Sequence, residues 1–205
     1  MLMSHIVDEN DVITIEFEIF FPPIGQMNAL FAALVWRRLD VLQTLINNKA
    51  DLEGKSVHGK TPLMIAATYD NPAGLQLLLN ANAALETKDE DGFTALMWAA
   101  KSGKAECMRL LIDAEANVNA MDNSENTALL LAVEKGNVQC VKMLLDAKAD
   151  IDIEDSDYRS PLALAVANND VACAQLLADA MGDRTEDYVL PLRFAAFLGR
   201  ASDVK

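Results

Sequence analysis

Apolar residues recur along the chain in short runs with helical spacing, and the runs come in pairs. Within residues 92–122, the first run spans residues 95–100 and the second spans residues 107–112, with Gly103 between them. Apolar positions spaced for one face of a helix and separated by a glycine turn predict a helical hairpin. This hairpin is informative because the chain repeats it at a fixed spacing.

Equivalent residues of the hairpins stand 33 positions apart. The spacing relates a Thr or Ser before the first run, an alanine inside it and a leucine pair in the second run. These positions are Thr61, Thr94, Thr127 and Ser160; Ala33, Ala66, Ala99, Ala132 and Ala165; and residues 77–78, 110–111 and 176–177. One hairpin has too little core to fold alone, so the pattern predicts a stack of units.

The opening of each unit resembles the ankyrin repeat, which has the same period. Residues 61–67 read TPLMIAA and residues 94–100 read TALMWAA, and the resemblance covers the chain from about Met27 to its C-terminus. It implies an all-α repeat: an ankyrin α-solenoid of helix-turn-helix units with short β-hairpin fingers. We expect residues 27–205 to form this array, with about four to five repeats plus a truncated C-terminal one.

Two features of the family are missing from this chain. The family's His, which follows the Thr by three positions, is replaced by Met64, Met97, Leu130 and Ala163. The Gly that usually ends the second helix is replaced by Lys49, Asn82, Glu115 and Lys148. We expect these replacements to remove a hydrogen bond and an easy left-handed helix end from the repeats, which lowers their stability.

Both ends of the chain depart from the repeat. Apolar and polar positions alternate in residues 12–21, which predicts a strand that stops at the Pro pair of residues 22–23. This strand-like or flexible leader, residues 1–26, flanks the first repeat, pairs with another chain or is disordered, and the sequence leaves all three open. The last unit, residues 188–205, stops where its second helix would start, so we expect a fragment or a truncated gene product.

Composition and charge narrow the class of protein. The 205-residue chain is 52% hydrophobic, but it has neither an apolar run of the roughly 18 residues that cross a membrane nor a basic secretory leader. Its 3 cysteines form no disulfide framework, so we expect a reducing cytoplasmic setting, with the nucleus as the alternative. The formal net charge of −14 argues against a nucleic-acid partner and favours a basic protein partner.

One motif suggests a different function. Residues 54–61, GKSVHGKT, match the G-x-x-x-x-G-K-[ST] pattern of loops that hold phosphates with backbone amides, a Lys and a hydroxyl. Such a loop follows a buried strand and opens an uninterrupted helix, whereas residues 47–53 are polar and Pro62 follows Thr61. The repeat itself requires Gly59 and Thr61. A phosphate- or nucleotide-binding protein that uses this loop is therefore kept as the alternative.

Cysteines and tryptophans in the repeat are interpreted mainly as packing residues. Cys107, Cys140 and Cys173 also stand 33 positions apart, on successive second helices. Packed helices lie roughly 8–10 Å apart, whereas a disulfide needs Cα atoms within about 7 Å, so core positions are favoured over a redox or metal site. Trp98 is expected in the core, and Trp36 falls on the exposed side as a binding candidate.

No catalytic, cofactor or metal-ligating constellation remains once the repeat is accounted for, so an enzyme is not expected. The resemblance implies that a partner meets the fingers and the exposed ends of the first helices. Carried onto this sequence, these places are Val57, His58, Lys60 and Tyr69; Glu90, Asp91, Phe93, Lys101 and Ser102; Asn123, Ser124, Asn126, Glu134 and Lys135; and Ser156, Asp157, Arg159 and Asn168. Phe93 and Tyr69 are the predicted apolar anchors, because aromatic residues dominate interface hot spots.

Charge is unevenly distributed along the predicted fingers. The first is basic, with Lys55, His58 and Lys60. The later ones are acidic, with Asp89, Glu90 and Asp91; Asp122 and Glu125; Glu154, Asp155 and Asp157; and Glu186 and Asp187. This predicts an acidic ridge that steers a basic or mixed-charge protein segment. The sequence therefore favours a non-catalytic, monomeric protein-interaction module without cofactor or membrane partner; the targeting region of a larger enzyme or scaffold is a further alternative.

Overall fold

The computed structural model describes residues 29–182 of the chain. It contains helices α1 (Ala29–Val35), α2 (Leu39–Asn47), α3 (Pro62–Thr68), α4 (Pro72–Asn80), α5 (Ala95–Lys101), α6 (Ala105–Asp113), α7 (Ala128–Glu134), α8 (Val138–Asp146), α9 (Pro161–Ala167) and α10 (Val171–Met181). The predicted all-α repeat is confirmed. The leader, residues 1–26, and the last unit, residues 188–205, lie outside the described residues.

The helices form two layers. Odd-numbered helices, the first of each pair, pack against one another in chain order, and even-numbered helices do the same. Small residues let the first helices approach closely, and Ala66, Ala99, Ala132 and Ala165 are fully buried. Leucines of the second helices fill the seam between the layers at Leu78, Leu111, Leu144 and Leu177. Each pair buries its apolar face only against its neighbours, as in a stacked repeat.

The first helices begin at the hydroxyl residues that the period singles out. Oγ1 of Thr94 accepts a hydrogen bond from the backbone N–H of Met97 at 3.4 Å, which satisfies one free donor of α5. Thr61, Thr127 and Ser160 cap α3, α7 and α9 in the same way. Pro62 and Pro161 occupy the first helical position of α3 and α9, where no backbone donor is needed.

The predicted loss of the family's His hydrogen bond is wrong for two of the four repeats. The thioether sulfur of Met64 accepts from the backbone N–H of Thr61 at 3.4 Å, and that of Met97 accepts from Thr94 at 3.5 Å. Sulfur is a weak acceptor, so this is a partial replacement. Leu130 and Ala163 carry no side-chain acceptor at the same position.

The second helices keep a left-handed end although the family's glycine is absent. Lys49, Asn82, Glu115 and Lys148 have φ angles of +62°, +60°, +67° and +63°. At Lys148, the backbone N–H donates to the carbonyl of Leu145, and the N–H of Ala149 donates to Leu144, so the end of α8 is closed as usual. The stacked geometry therefore imposes the left-handed conformation on residues that carry a Cβ, although the Cβ makes that conformation unfavourable.

The three cysteines are buried and unoxidised, as their place in the period predicts. Burial raises the pKa of the Cys107 and Cys173 thiols to about 12, and it also raises the pKa of Cys140. All three thiols therefore stay protonated at neutral pH and behave as small apolar core residues.

Replacing the strained Lys148 by glycine should stabilise the array. We expect Lys148→Gly to raise the free energy of unfolding by about 1 kcal/mol, because glycine adopts a positive φ without a steric penalty. Lys142→Gly is the matched control: this exposed lysine lies inside α8, where glycine should cost about 1 kcal/mol. Urea unfolding of the full chain measures both changes. Destabilisation by both substitutions would contradict the proposed strain.

Candidate protein-interaction surface

Four tight turns project between the helix pairs, and we call them fingers: residues 56–60, 89–93, 122–126 and 155–159. Each is closed by a backbone hydrogen bond from its first residue to its last, for example from Asp122 N to the carbonyl of Asn126 at 2.9 Å. No strand is present in residues 29–182, so the predicted β-hairpins are reduced to these closed turns.

A buried aspartate opens each of the last three fingers. Oδ1 of Asp155 accepts hydrogen bonds from the backbone N–H groups of Asp157 and Arg159, both at 3.0 Å. Asp89 and Asp122 bind the equivalent amides of their own fingers. A carboxylate that accepts two amides of its own turn holds that turn in one conformation. The first finger uses Oγ of Ser56, which accepts from the N–H of Lys60.

The predicted acidic ridge is wrong in part, because three of its aspartates are buried within the fingers. Asp89, Asp122 and Asp155 are only 8%, 9% and 3% exposed, so the assignment of these three to the exposed ridge is wrong. Their carboxylates accept hydrogen bonds from backbone amides of their own fingers. The exposed carboxylates that remain belong to Glu90, Asp91, Glu125, Glu154 and Asp157. Glu186 and Asp187 lie outside the described residues.

Neighbouring fingers are joined to one another through their backbones. The N–H of Asn123 donates to the carbonyl of Asp91 at 3.1 Å, and that of Ser156 donates to Ser124 at 3.1 Å. The approach is so close that a Cβ on Gly92 would lie 2.7 Å from the backbone N of Asn123. The fingers therefore form one continuous row whose members have fixed positions relative to one another.

Phe93 is not the exposed anchor that the sequence predicts. Its side chain is 7% exposed, and its ring packs against Trp98 with 5.1 Å between the ring centroids. The ammonium of Lys101 lies 4.6 Å from the centroid of the Phe93 ring and covers it further. Phe93 therefore packs the end of the second finger against Trp98 of α5. Tyr69, the other predicted anchor, is 40% exposed at the end of α3.

Trp98 joins the core to the surface and is only half-buried, so its predicted core position is correct in part. Its indole Nε1 donates to Oδ2 of Asp89 at 2.8 Å, which links the ring to the base of the second finger. The ammonium of Lys60 lies 3.3 Å above the ring. Burial lowers the pKa of Lys60, and Lys101 lowers it further, while Asp89 and Asp91 oppose the shift.

The same contacts weigh against a phosphate-binding loop at residues 54–61. Lys60 is directed onto Trp98 of the next repeat, and Oγ1 of Thr61 accepts from the backbone N–H of Met64. The chain enters this loop from α2, which ends at Asn47, and no strand lies between that helix and α3. The two residues that would hold a phosphate and its metal are thus engaged in the repeat itself.

Most predicted partner-binding residues reach solvent. Those exposed are Val57, His58, Tyr69, Glu90, Asp91, Asn123, Ser124, Glu134, Lys135, Ser156, Asp157, Arg159 and Asn168. Those half-buried are Lys60, Lys101, Ser102 and Asn126, of which Asn126 donates to Asp122 within its finger. Tyr69, Ser102, Lys135 and Asn168 are the C-terminal caps of α3, α5, α7 and α9. The residues thus divide between the finger row and the ends of the first helices.

Tyr158, in the fourth finger, is absent from the predicted set. It is 85% exposed and has a φ of +61°. The period could have identified it, because the equivalent positions are Gly59, Gly92 and Glu125. The signal in the sequence is that Tyr158 places a large aromatic residue where two other fingers have glycine.

A family model described as ankyrin repeats in three copies matches the chain at residues 14–89 and 63–155. These stretches together cover more than half of the chain, which therefore belongs to the ankyrin repeat family. Ankyrin repeats are in general protein–protein interaction modules and typically non-catalytic. A search among curated proteins finds no match.

No helix within residues 29–182 has the length and apolar character needed to span a membrane. The same part of the chain contains no cluster of three or more His, Cys, Asp or Glu residues placed to hold a metal ion.

The buried Asp155 should make the stability of the array depend on acid pH. Burial raises the pKa of Asp155, but hydrogen bonds from Arg159 and Asp157 outweigh burial and hold it below the ordinary value. A carboxyl whose pKa is lower in the folded chain stabilises the fold above its unfolded pKa of about 3.9. That contribution is lost as the pH falls through the folded pKa.

We therefore expect Asp155→Asn to lower the free energy of unfolding by about 1–3 kcal/mol at pH 7, and this deficit to shrink below about pH 4. Asp157→Asn, an exposed neighbour, should cost under about 1 kcal/mol. Urea unfolding between pH 7 and pH 3 measures the difference. A deficit for Asp155→Asn that stays constant across this range would show that its charge is not responsible.

Proposed function

We propose that this chain is a non-catalytic protein-interaction module that binds a partner protein along its fingers and the exposed ends of its first helices. The observation that carries the proposal is the row of fingers, each closed by its own hydrogen bonds and joined to the next through the backbone. A surface that is already ordered loses little conformational entropy on binding, which favours affinity. The variable side chains on this row supply the specificity.

Charge supports a basic or mixed-charge partner segment. Glu90, Asp91 and Glu125 place exposed carboxylates on adjacent fingers of a chain whose formal net charge is −14. Such a field attracts a basic segment and raises the rate of encounter. The first finger carries the exposed His58 with Lys55 just before it, so an acidic residue at one end of the segment would also find a counterpart.

Several narrower features belong to the same proposal. The chain acts as a monomer in the cytoplasm, with the nucleus as the alternative, and nucleic acid is disfavoured by its negative charge. The module serves alone or as the targeting region of a larger enzyme or scaffold. The phosphate-binding alternative is less well supported, because Lys60 and Thr61 are engaged with Trp98 and with the start of α3.

Reversal of the exposed finger charges tests the proposal. A partner recovered by pull-down and mass spectrometry should bind Glu90→Lys/Asp91→Lys/Glu125→Lys roughly tenfold more slowly at low ionic strength, with a flatter salt dependence. The control carries the same change of net charge on the second helices, as Asp113→Lys/Asp146→Lys/Asp179→Lys. Stopped-flow association of the full chain gives both rates. An unchanged rate, or an equal loss in the control, would contradict steering by the fingers.

A further inference from the structure

Tyr158 is the most exposed large apolar residue in the described part of the chain. It lies in the fourth finger with 85% of its surface accessible, against 61% for Val57 and 47% for Trp36. Exposed aromatic rings are unfavourable in water and are over-represented among residues that anchor protein interfaces. The ring is therefore a candidate anchor for a partner.

The backbone at Tyr158 strengthens this argument. Its φ of +61° lies in the left-handed region, where bulky residues are rarely found. Gly59 and Gly92 fill the same position in the first two fingers. Folding does not demand a tyrosine there, since glycine and glutamate serve in equivalent fingers. A strained residue that the fold does not need points to a functional constraint.

The finger that carries Tyr158 is firmly held. The N–H of Tyr158 donates to the carbonyl of Asp155 at 2.9 Å. Oδ2 of Asp155 lies 2.7 Å from the guanidinium Nη2 of Arg159, and the buried Asp155 also accepts the two amides of the turn. The ring is thus presented on a fixed support, so little backbone entropy is lost when a partner covers it.

We propose that Tyr158 is an aromatic anchor that binds an arginine or lysine side chain of the partner segment; this rests on the proposed function above. The face of an aromatic ring attracts a cation, and the exposed carboxylates of Glu154, just before this finger, and Glu125, on the preceding finger, also favour a positively charged partner. Arg159 is already paired with Asp155 and Asp157.

The chain uses the same chemistry where the first two fingers meet α5. The ammonium of Lys60 lies 3.3 Å above the ring of Trp98, and that of Lys101 lies 4.6 Å from the centroid of Phe93. Within residues 29–182, no lysine or arginine occupies the ring of Tyr158 in this way. A cation of the partner would complete at Tyr158 an arrangement that Lys60 and Lys101 already make with the rings of Trp98 and Phe93.

Thermal unfolding of the full chain tests the structural half of the inference. We expect Tyr158→Gly to leave the Tm unchanged or to raise it by up to roughly 4 °C, because it relieves the left-handed backbone. Glu125→Gly is the matched control at the equivalent position of the third finger. A fall in Tm of more than about 2 °C for Tyr158→Gly would show that the tyrosine serves the fold, and would overturn the inference.

Binding tests the functional half, with phage-displayed random dodecapeptides panned on the immobilised full chain as the probe. We expect enriched peptides to carry Arg or Lys and to lose roughly tenfold or more affinity on Tyr158→Gly, with affinity retained by the matched aromatic variant Tyr158→Phe. Peptides that respond to reversal of Glu90 and Asp91 but not to Tyr158→Gly would overturn this inference alone.

Two other outcomes would also overturn part or all of the proposal. Peptides that depend on Tyr158 but are enriched in acidic or purely apolar residues would overturn the cationic partner class. Failure of every enriched peptide to respond to any finger substitution would overturn both this inference and the proposed function.

Discussion

The carboxylate buried at the base of each of the last three fingers is the interaction on which the surface depends. Asp89, Asp122 and Asp155 each accept two backbone amides of their own turn, so the turn keeps one conformation. Neighbouring closed turns then meet through a backbone hydrogen bond, for example from the N–H of Asn123 to the carbonyl of Asp91. A buried charge is tolerable because it is fully hydrogen-bonded, and its loss would leave amides without partners in a confined space.

Core and surface have separate determinants in this chain. Alanines and leucines that recur every 33 residues bury the seam between the helix layers, and they would do so whatever the partner. The exposed side chains of the fingers, such as Val57, Glu90 and Ser124, lie outside this seam and form the surface that a partner would meet. Trp98 connects the two parts, because its ring packs on Phe93, donates to Asp89 and supports the ammonium of Lys60.

The period is enough to predict the helix pairs, the hydroxyl caps and the buried cysteines, because these depend on local pattern and on apolar positions. It does not separate inward-facing from outward-facing finger residues. Phe93 is predicted to be exposed, but it is buried. The prediction fails because a five-residue turn is too short to show a periodic pattern of apolar positions. Asp155 resembles a surface charge in the sequence because hydrogen bonds to amides leave no mark on composition. Tyr158 is detectable only by comparison with Gly59 and Gly92.

Site-specific photo-crosslinking tests the central claim, that partners bind on the finger row, and it works with a partner whose identity is not known. Benzoylphenylalanine would be placed at Val57 or Ser124 on the fingers, or at Arg109 or Lys142 on the exposed side of the second helices. In cell extract, we expect an adduct of the same mass from both finger positions and none of that mass from the helix positions. Adducts of one partner formed only at Arg109 and Lys142 would contradict it.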